Sequence, residues 1–347
     1  MSQSGKTIPW ALRPPLEVAL AKRVKGIPPA SALPGQMLFE PKFDGYRVLI
    51  FRDRDLASLW SRQGKDLTRY FPELVEAALS MIPAGCIVDG EAVVWSEDRL
   101  NFEALQGRLS AGKERLRSMV LELPAIFVAF DVLAVAGQDA RGLPLVDRRA
   151  LLEELATIWA PPLSVSPQTT DRELAKEWFE GLAEVRMEGL VAKSSVGPYT
   201  GGKRIWLKAK HVSELDVVCG AVIGPVHRPT EIVAGLPLGG ELRIVGRSSP
   251  LKSADSRMLG RWLRPAAGTH PWPSTVKGTA LDRFNRDASP VELTLVDPIV
   301  VEVQADAAWS GQSFRHSLRF RRIRPELDPL RVEVPARLSA DDKEQRL

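Results

Sequence analysis

Apolar and polar residues alternate over residues 42–60, with Val48 and Ile50 among the apolar positions. A charged run at 52–55 interrupts them, so the period of two predicts a strand hairpin that turns at the charges. The period then changes. Leu74, Val75, Ala78 and Leu79 share one face of a helix over 71–81, and helices are predicted over 101–119, 148–159 and 171–185, the last with Asp171 as its N-cap. Strands return in CIVDGEAVVW from Cys86, in AIFVAFDVLAV from Ala125, in EGLVAKSS and in KRIWLKAKH. Residues 1–36 are rich in proline, with one helical piece over 16–24, and read as an extended arm that wraps the adjoining domain, with little chemistry of its own. From Val212 the texture becomes β-rich: ELDVVCGAVIGP, ELRIVGRSSP, VELTLVDPIVVEVQA and SLRFRRIRP, divided by Gly and Pro turns and one helix over 255–263. About five strands in roughly 120 residues suit a small closed barrel. The expected organisation is α+β, with one domain over 1–211, a second over 212–335, and a charged, apolar-poor, disordered tail over 336–347.

Composition narrows the class. A chain of 347 residues with 44% hydrophobic residues and nine tryptophans is globular and long enough for two cores. The absence of an apolar run near 18 residues, and of an apolar stretch in MSQSGKTIPW, predicts a chain off the membrane in the cytoplasm, nucleoid-associated in a bacterium. Two cysteines cannot build a four-cysteine zinc site, and the four histidines are scattered. The net charge of +4 is a mild bias toward polyanions. It is concentrated, with Lys203, Arg204, Lys208 and Lys210 in one run and Arg315, Arg319, Arg321, Arg322 and Arg324 in another.

The chemistry gathers at EPKFDGYR. Lys-x-Asp-Gly arises by chance roughly one time in ten in a chain of this length, so it needs support from elsewhere in the sequence. A lysine amine attacks only when neutral, and its ordinary pKa of about 10.4 keeps it protonated near pH 7. A nucleophilic Lys42 therefore demands burial and neighbouring cations, the same groups a polyphosphate substrate needs, together with acids for a divalent metal. Candidates occur in order along the chain. Ile87, Asp89 and Glu91 share one strand face, and its two carboxylates require arginines, a metal or substrate hydroxyls as partners. Lys208 and Lys210 also share a face, suited to phosphate.

The ordered series KFDG, SR, DGE, FDVL, EGLVAK, WLKAK over residues 42–210 resembles the motif series of the covalent nucleotidyltransferases, the superfamily of ATP-dependent DNA ligases, RNA ligases and mRNA capping enzymes. EPKFDGYR and FRHSLRFRRIRPEL are most similar to the short bacterial ATP-dependent DNA ligases of the C type. The resemblance implies an adenylation domain of antiparallel sheets with helices, followed by an OB-fold. It further implies ATP as AMP donor, Mg²⁺ or Mn²⁺, nicked duplex DNA as substrate, other DNA-repair proteins as partners, a repair role and a monomeric enzyme. It places AMP on Lys42, Glu40 by the adenine, Asp44 near the nick, Arg47 on the ribose, Arg62 on the 5′-phosphate, and Glu91 on a ribose hydroxyl and near the metal. Phe130 stacks on the adenine, Glu188 holds metal, Lys193 reaches the phosphates, and Lys208 and Lys210 hold the α-phosphate. The last motif departs from the superfamily, which carries an acid and a lysine after its arginine. Here Arg324 is followed by Pro325, Glu326 and Leu327, leaving Arg322 and Arg324 as substitutes. An RNA ligase, a GTP-using capping-type enzyme and a non-catalytic nucleic-acid-binding module stay open on the sequence. An NAD-dependent ligase would need a zinc module that two cysteines cannot form.

Overall fold

Strand pairing in the computed structural model of the chain follows the alternating runs over most of their length. Residues 7–181, 185, 187–282, 289–306, 309–310 and 313–335 are described, and the chain divides into two units between His211 and Val212.

The first unit holds two sheets. One has the order β1 (Leu20–Val24), β11 (Arg204–Lys210), β10 (Gly189–Ser194), β2 (Met37–Lys42), with β1 parallel to β11 and the other pairs antiparallel. The other runs β4 (Leu56–Ser61), β3 (Tyr46–Asp53), β5 (Cys86–Ser96), β7 (Ala125–Val135), β8 (Gln138–Asp139), with β6 (Arg99–Leu100) on β5 and β9 (Leu163–Val165) parallel to β7. Their period of two separates two cores. Leu49, Phe51, Ile87 and Leu133 pack with Leu12, Val18, Tyr199 and Trp206 between the sheets. Val48, Ile50, Val88, Ala92 and Val94 instead pack on α1 (Pro72–Met81), α2 (Phe102–Ser110) and α4 (Leu145–Ala156). Each such aliphatic side chain, once buried, contributes about 1.5–3 kcal/mol. On the far face of the first sheet, Met37, Phe39 and Leu190 meet Ala175, Trp178 and Phe179 of α5 (Arg172–Gly181). Asp171 caps α5, its Oδ1 accepting from the Glu173 amide at 2.8 Å.

Several expectations change. The helix expected over 16–24 is instead strand β1. Residues 16–24 carry both periods, and the open edge of β11 decides between them by offering backbone partners from Leu20 to Val24. Nor is the arm without a role, since Leu20 and Ala21 line the cleft beside Lys42. The helix expected over 101–119 is two, α2 and α3 (Lys113–Glu122), parted at Ala111–Gly112, where Ala111 is extended. The helix expected over 148–159 starts earlier, at Leu145 behind Pro144. The expected helix over 171–185 ends at Gly181, its residues 182–184 lying outside the described ones.

Inside α4, Arg148 is 1% exposed and forms a two-armed pair with the fully buried Asp131 of β7 (Nε to Oδ1 2.7 Å, Nη2 to Oδ2 3.0 Å). Its Nη1 donates to the carbonyls of Leu143 and Gly197. Removing one partner of such a pair leaves a buried charge without compensation. Arg148→Leu is expected to lose about 3–5 kcal/mol, while adding Asp131→Leu returns part of the loss. Urea midpoints at unchanged slope check this, and a single variant as stable as the parent contradicts it.

The second unit is built on a five-stranded antiparallel sheet in the order β14 (Glu241–Arg247), β13 (Glu231–Leu238), β12 (Val212–Ile223), β17 (Thr294–Asp306), β18 (Arg319–Ile323). A parallel bridge between Ser248 and Leu318 joins the ends of its two edge strands. Val218, Ile232, Leu236, Val245, Val300 and Val303 fill the interior with Leu259 of α6 (Ser253–Trp262). A short ribbon, β15 (Thr275–Lys277) with β16 (Pro290–Glu292), and the helix α7 (Gly278–Leu281) lie beside it with Trp272. Strand β13 is absent from the sequence reading, because Gly235 and Pro237 sit within it as apparent breakers. The tail expected to be disordered, 336–347, lies outside the described residues.

Candidate active site

Register across the first sheet sets two rows of side chains. β10 pairs Gly189 with Lys42 on one side and with Lys210 on the other, and two residues along it pairs Val191 with Glu40 and with Lys208. Alternation therefore brings Glu40, Lys42, Lys208 and Lys210 to one face. Gly189 has φ +140°, and a Cβ there would run into the Ala209 carbonyl, so only glycine lets β10 approach β11 this closely. Glu188, just before that glycine, is fixed by its backbone, the amide donating to the Lys42 carbonyl (2.9 Å) and the carbonyl accepting from the His211 amide (3.0 Å).

The Glu188 carboxylate lies between two ammonium groups, 2.6 Å from Lys42 Nζ and 3.0 Å from Lys210 Nζ. Burial by itself would raise this carboxyl, but the two lysines outweigh it and hold it far below the usual range. For Lys42 burial is again the largest influence, and it lowers the pKa. Glu188, Glu91 and Asp44 together overcome it, so the Lys42 ammonium is held above its ordinary value. Cations stand near Lys42 as expected, Lys208 and Lys210 among them, but the lowered pKa expected of Lys42 is overturned, because the three acids outweigh burial. In the resting chain its nearest charged neighbour is an acid. The depressed lysine is Lys208, through burial first and then through Lys210, Lys42 and Arg62.

A cleft of about 390 Å³ opens beside this row, lined by Glu40, Lys42, Arg47, Arg62, Glu91, Phe130, Lys193 and Lys208, together with Leu20, Ala21, Arg204 and Trp206. Asp44 does not line it and acts on Lys42 and Glu91 through its charge. Burial, only partly offset by Lys42 and Arg47, pushes Glu91 up to about 7. Arg47 is held as a fork on Asp89 (Nε to Oδ1 3.0 Å, Nη2 to Oδ2 2.6 Å), and Tyr199 Oη donates to the same carboxylate at 2.7 Å. These are the partners that the buried carboxylate of Asp89 required. Its neighbour Glu91 remains on the cleft wall.

Lys193, expected to reach the phosphates, is held by protein groups on the cleft wall. It is 1% exposed, pairs with Glu40 at 2.7 Å, donates to the Phe130 carbonyl at 3.0 Å and sits 4.7 and 4.6 Å from the ring centres of Phe130 and Trp206. A buried ammonium with those partners is committed to them. Glu40 is raised, burial outweighing Lys193, and its second oxygen accepts from Gln168 Nε2 at 3.0 Å. Trp206, Gln168 and Tyr199 are missing from the sequence-based site. Trp206 was within reach, since it stands two residues before Lys208 on the same strand face. Gln168 lies on an irregular segment with no motif around it.

In the second unit, Arg322 pairs with Glu302 (2.7 Å) and Arg324 with Asp216, Glu302 and Glu326.

The sequence profile of the family described as ATP dependent DNA ligase domain matches residues 18–210, more than half of the chain. DNA ligase C of Mycobacterium tuberculosis is 34% identical over 95% of this chain and 97% of its own length. The chain belongs to the ATP-dependent DNA ligases. Consistent with the ligase family, DNA ligase C2 of Mycolicibacterium smegmatis is 34% identical over 91% of this chain and 92% of that protein. A solved Lig E DNA ligase shares the fold with a TM-score of 0.54 at 17% identity, over 89% of this chain and 99% of that one. No helix among the described residues of the ligase is long and apolar enough to cross a membrane.

A divalent ion can be tested against the donors present. Among the described residues no three acidic, histidine or cysteine side chains form a ready-made metal cage. Mg²⁺ does not need one, because it is commonly held by one or two carboxylates and substrate phosphates with its own waters. Glu188 and Glu91 fit that requirement.

Proposed function

We propose that this ligase seals 5′-phosphate/3′-hydroxyl nicks in duplex DNA through AMP carried on Lys42, with Mg²⁺ or Mn²⁺, in DNA repair. The observation that carries this reading is the row Lys42–Glu188–Lys210 beside a cleft that Lys42 and Lys208 line together with Glu91, Arg47, Arg62 and Phe130. Lys42 first loses its proton and its Nζ bonds to the α-phosphorus of ATP, while the bond from that phosphorus to the pyrophosphate oxygen breaks in line. Lys208 and Lys210 meet the charge on the non-bridging oxygens. Glu188 and Glu91 are the groups to hold the divalent ion, which when bound neutralises phosphate charge and competes with the lysines for the Glu188 carboxylate. Arg62 takes the 5′-phosphate, whose oxygen then accepts AMP and frees the Lys42 amine. The 3′-hydroxyl finally attacks that phosphate and expels AMP.

The buried assembly Glu40–Lys193–Phe130 is read as the adenine wall. Lys193 fixes the height of the ring and the angle of the carboxylate, and makes no contact with phosphate. The second unit is read as an OB-fold barrel, supported by its strand order and by the bridge between Ser248 and Leu318. On it, Arg322 and Arg324 are assigned to the pyrophosphate.

The test is direct. Purified protein with α-labelled ATP and Mg²⁺ is expected to gain one covalent AMP that is labile in acid and stable in alkali, the behaviour of a phosphoramidate. Label from GTP in place of ATP, or sealing confined to RNA, would replace this reading with a capping-type or RNA-joining one.

A further inference from the structure

Helix α3 carries both signs of charge in its first turn, Glu114 with the helix dipole and Lys113 against it. It begins with Lys113, a cation at the positive end of the helix dipole, and Arg117 stands one turn on, where like charges repel. Leu116, Met119 and Val120 are half-buried and hold the helix in place, while Lys113 and Arg117 are exposed. Lys113, Leu116 and Arg117 line a groove whose opposite wall includes Arg69. Elsewhere on the surface, arginines have found acids: Arg141 on Asp139, Arg149 on Glu153, Arg321 on Glu214 and Arg322 on Glu302. Among the described residues Arg69, Lys113 and Arg117 make no ion pair. Arg69 lies over the ring of Tyr70, 4.5 Å from its centre.

The groove is also continuous in sequence with the cleft. Arg62 lines the cleft and Arg69 lines the groove, and Lys65 is exposed between them. Arg62, Lys65 and Arg69 thus lead along the sequence from the cleft to the groove that Lys113 and Arg117 also line. The acids among them are Asp66, whose Oδ1 accepts from the Thr68 amide, and Glu114. Lys113 and Arg117, one helical turn apart, have Cβ atoms roughly 5–6 Å from each other, a spacing that suits neighbouring phosphates of one strand.

We propose that the groove that Arg69 and Pro72 line with α3 is a docking surface for the phosphate backbone of duplex DNA leading away from the nick, with Arg69, Lys113 and Arg117 as its contacts. The assignment rests on the DNA-joining reading above and adds to it a surface distant in sequence from the nucleotide motifs. Contacts of this kind carry no base information, so they set affinity and register and leave sequence preference unchanged.

The experiment compares the parent with Lys113→Glu/Arg117→Glu in binding to a nicked duplex at several salt concentrations, and in covalent AMP formation from ATP without DNA. The variant is expected to bind the duplex roughly tenfold or more weakly at 0.1 M salt. Its log–log salt slope should be shallower by about 1.8, the value for two lost phosphate contacts, with AMP attachment unchanged. Parent-like affinity and slope overturn the proposal, as they would if the groove served an acidic protein instead. Should the charge reversal hinder folding, Lys113→Ala/Arg117→Ala removes the contacts from an unburied helix and is expected to give the same slope change. A parent that gains no AMP, alongside a variant that still shows the shallower slope, would refute the lysyl-AMP reading and leave this one standing.

Discussion

Lys42→Ala is expected to reduce covalent AMP attachment by at least roughly a thousandfold, to background, because no other amine is aligned to replace the nucleophile. The same variant is expected to seal a nick whose 5′-phosphate already bears AMP, since that final displacement uses the 3′-hydroxyl and leaves the lysine idle. The pair of assays separates chemistry from folding. Lys42 is only 22% exposed and its loss leaves Glu188 with Lys210, so the fold should hold. Retained labelling in the variant would move the nucleophile elsewhere and refute the role given to Lys42.

Glu188→Gln is expected to be the next most damaging change, with AMP attachment down about a hundredfold and a weaker dependence on added Mg²⁺. Its pH profile is the more informative measurement. In the parent, Glu188, Glu91 and Asp44 hold the Lys42 ammonium above its ordinary pKa, against burial. The neutral fraction of Lys42 then grows about tenfold per pH unit up to that pKa, and single-turnover attachment should climb with pH across the neutral range. Without the Glu188 charge, burial and the nearby Lys208 and Lys210 pull the ammonium downward, so the plateau should arrive at lower pH. A profile identical to the parent's would mean that Glu188 does not govern the proton on Lys42.

That proton marks where the sequence stops being informative. Lys42, Glu91, Glu188, Lys208 and Lys210 were all legible, because strand alternation and ordered motifs fix which residues share a face. Charge balance was not. Demanding cations around a nucleophilic lysine is sound for the moment of attack, but the resting chain must satisfy a buried ammonium as well, and it does so with Glu188 at 2.6 Å. Lys193 is a related case: alternation gives its side of the strand but not its depth, and depth turns a candidate phosphate ligand into the buried partner of Glu40. The fold divides in the same way. Strands β5 and β7 could be read from long apolar runs, whereas β1 depended on β11, remote in sequence, which overrode a helical period, and β13 on its hairpin neighbours β12 and β14, which overrode two apparent breakers.

The parallel seam between β1 and β11 has a consequence for biosynthesis. Leu20 pairs with Arg204 and Val24 with Ala209, so a segment near the start of this unit is joined to one near its end. Closing a loop of that length is slow and comes after local hairpins have formed. On the ribosome the nucleotide cleft therefore lacks its Leu20–Ala21 wall until residues 204–209 have emerged. A protease that removes the leading 24 residues would take away that wall while leaving every nucleotidyltransferase motif in place.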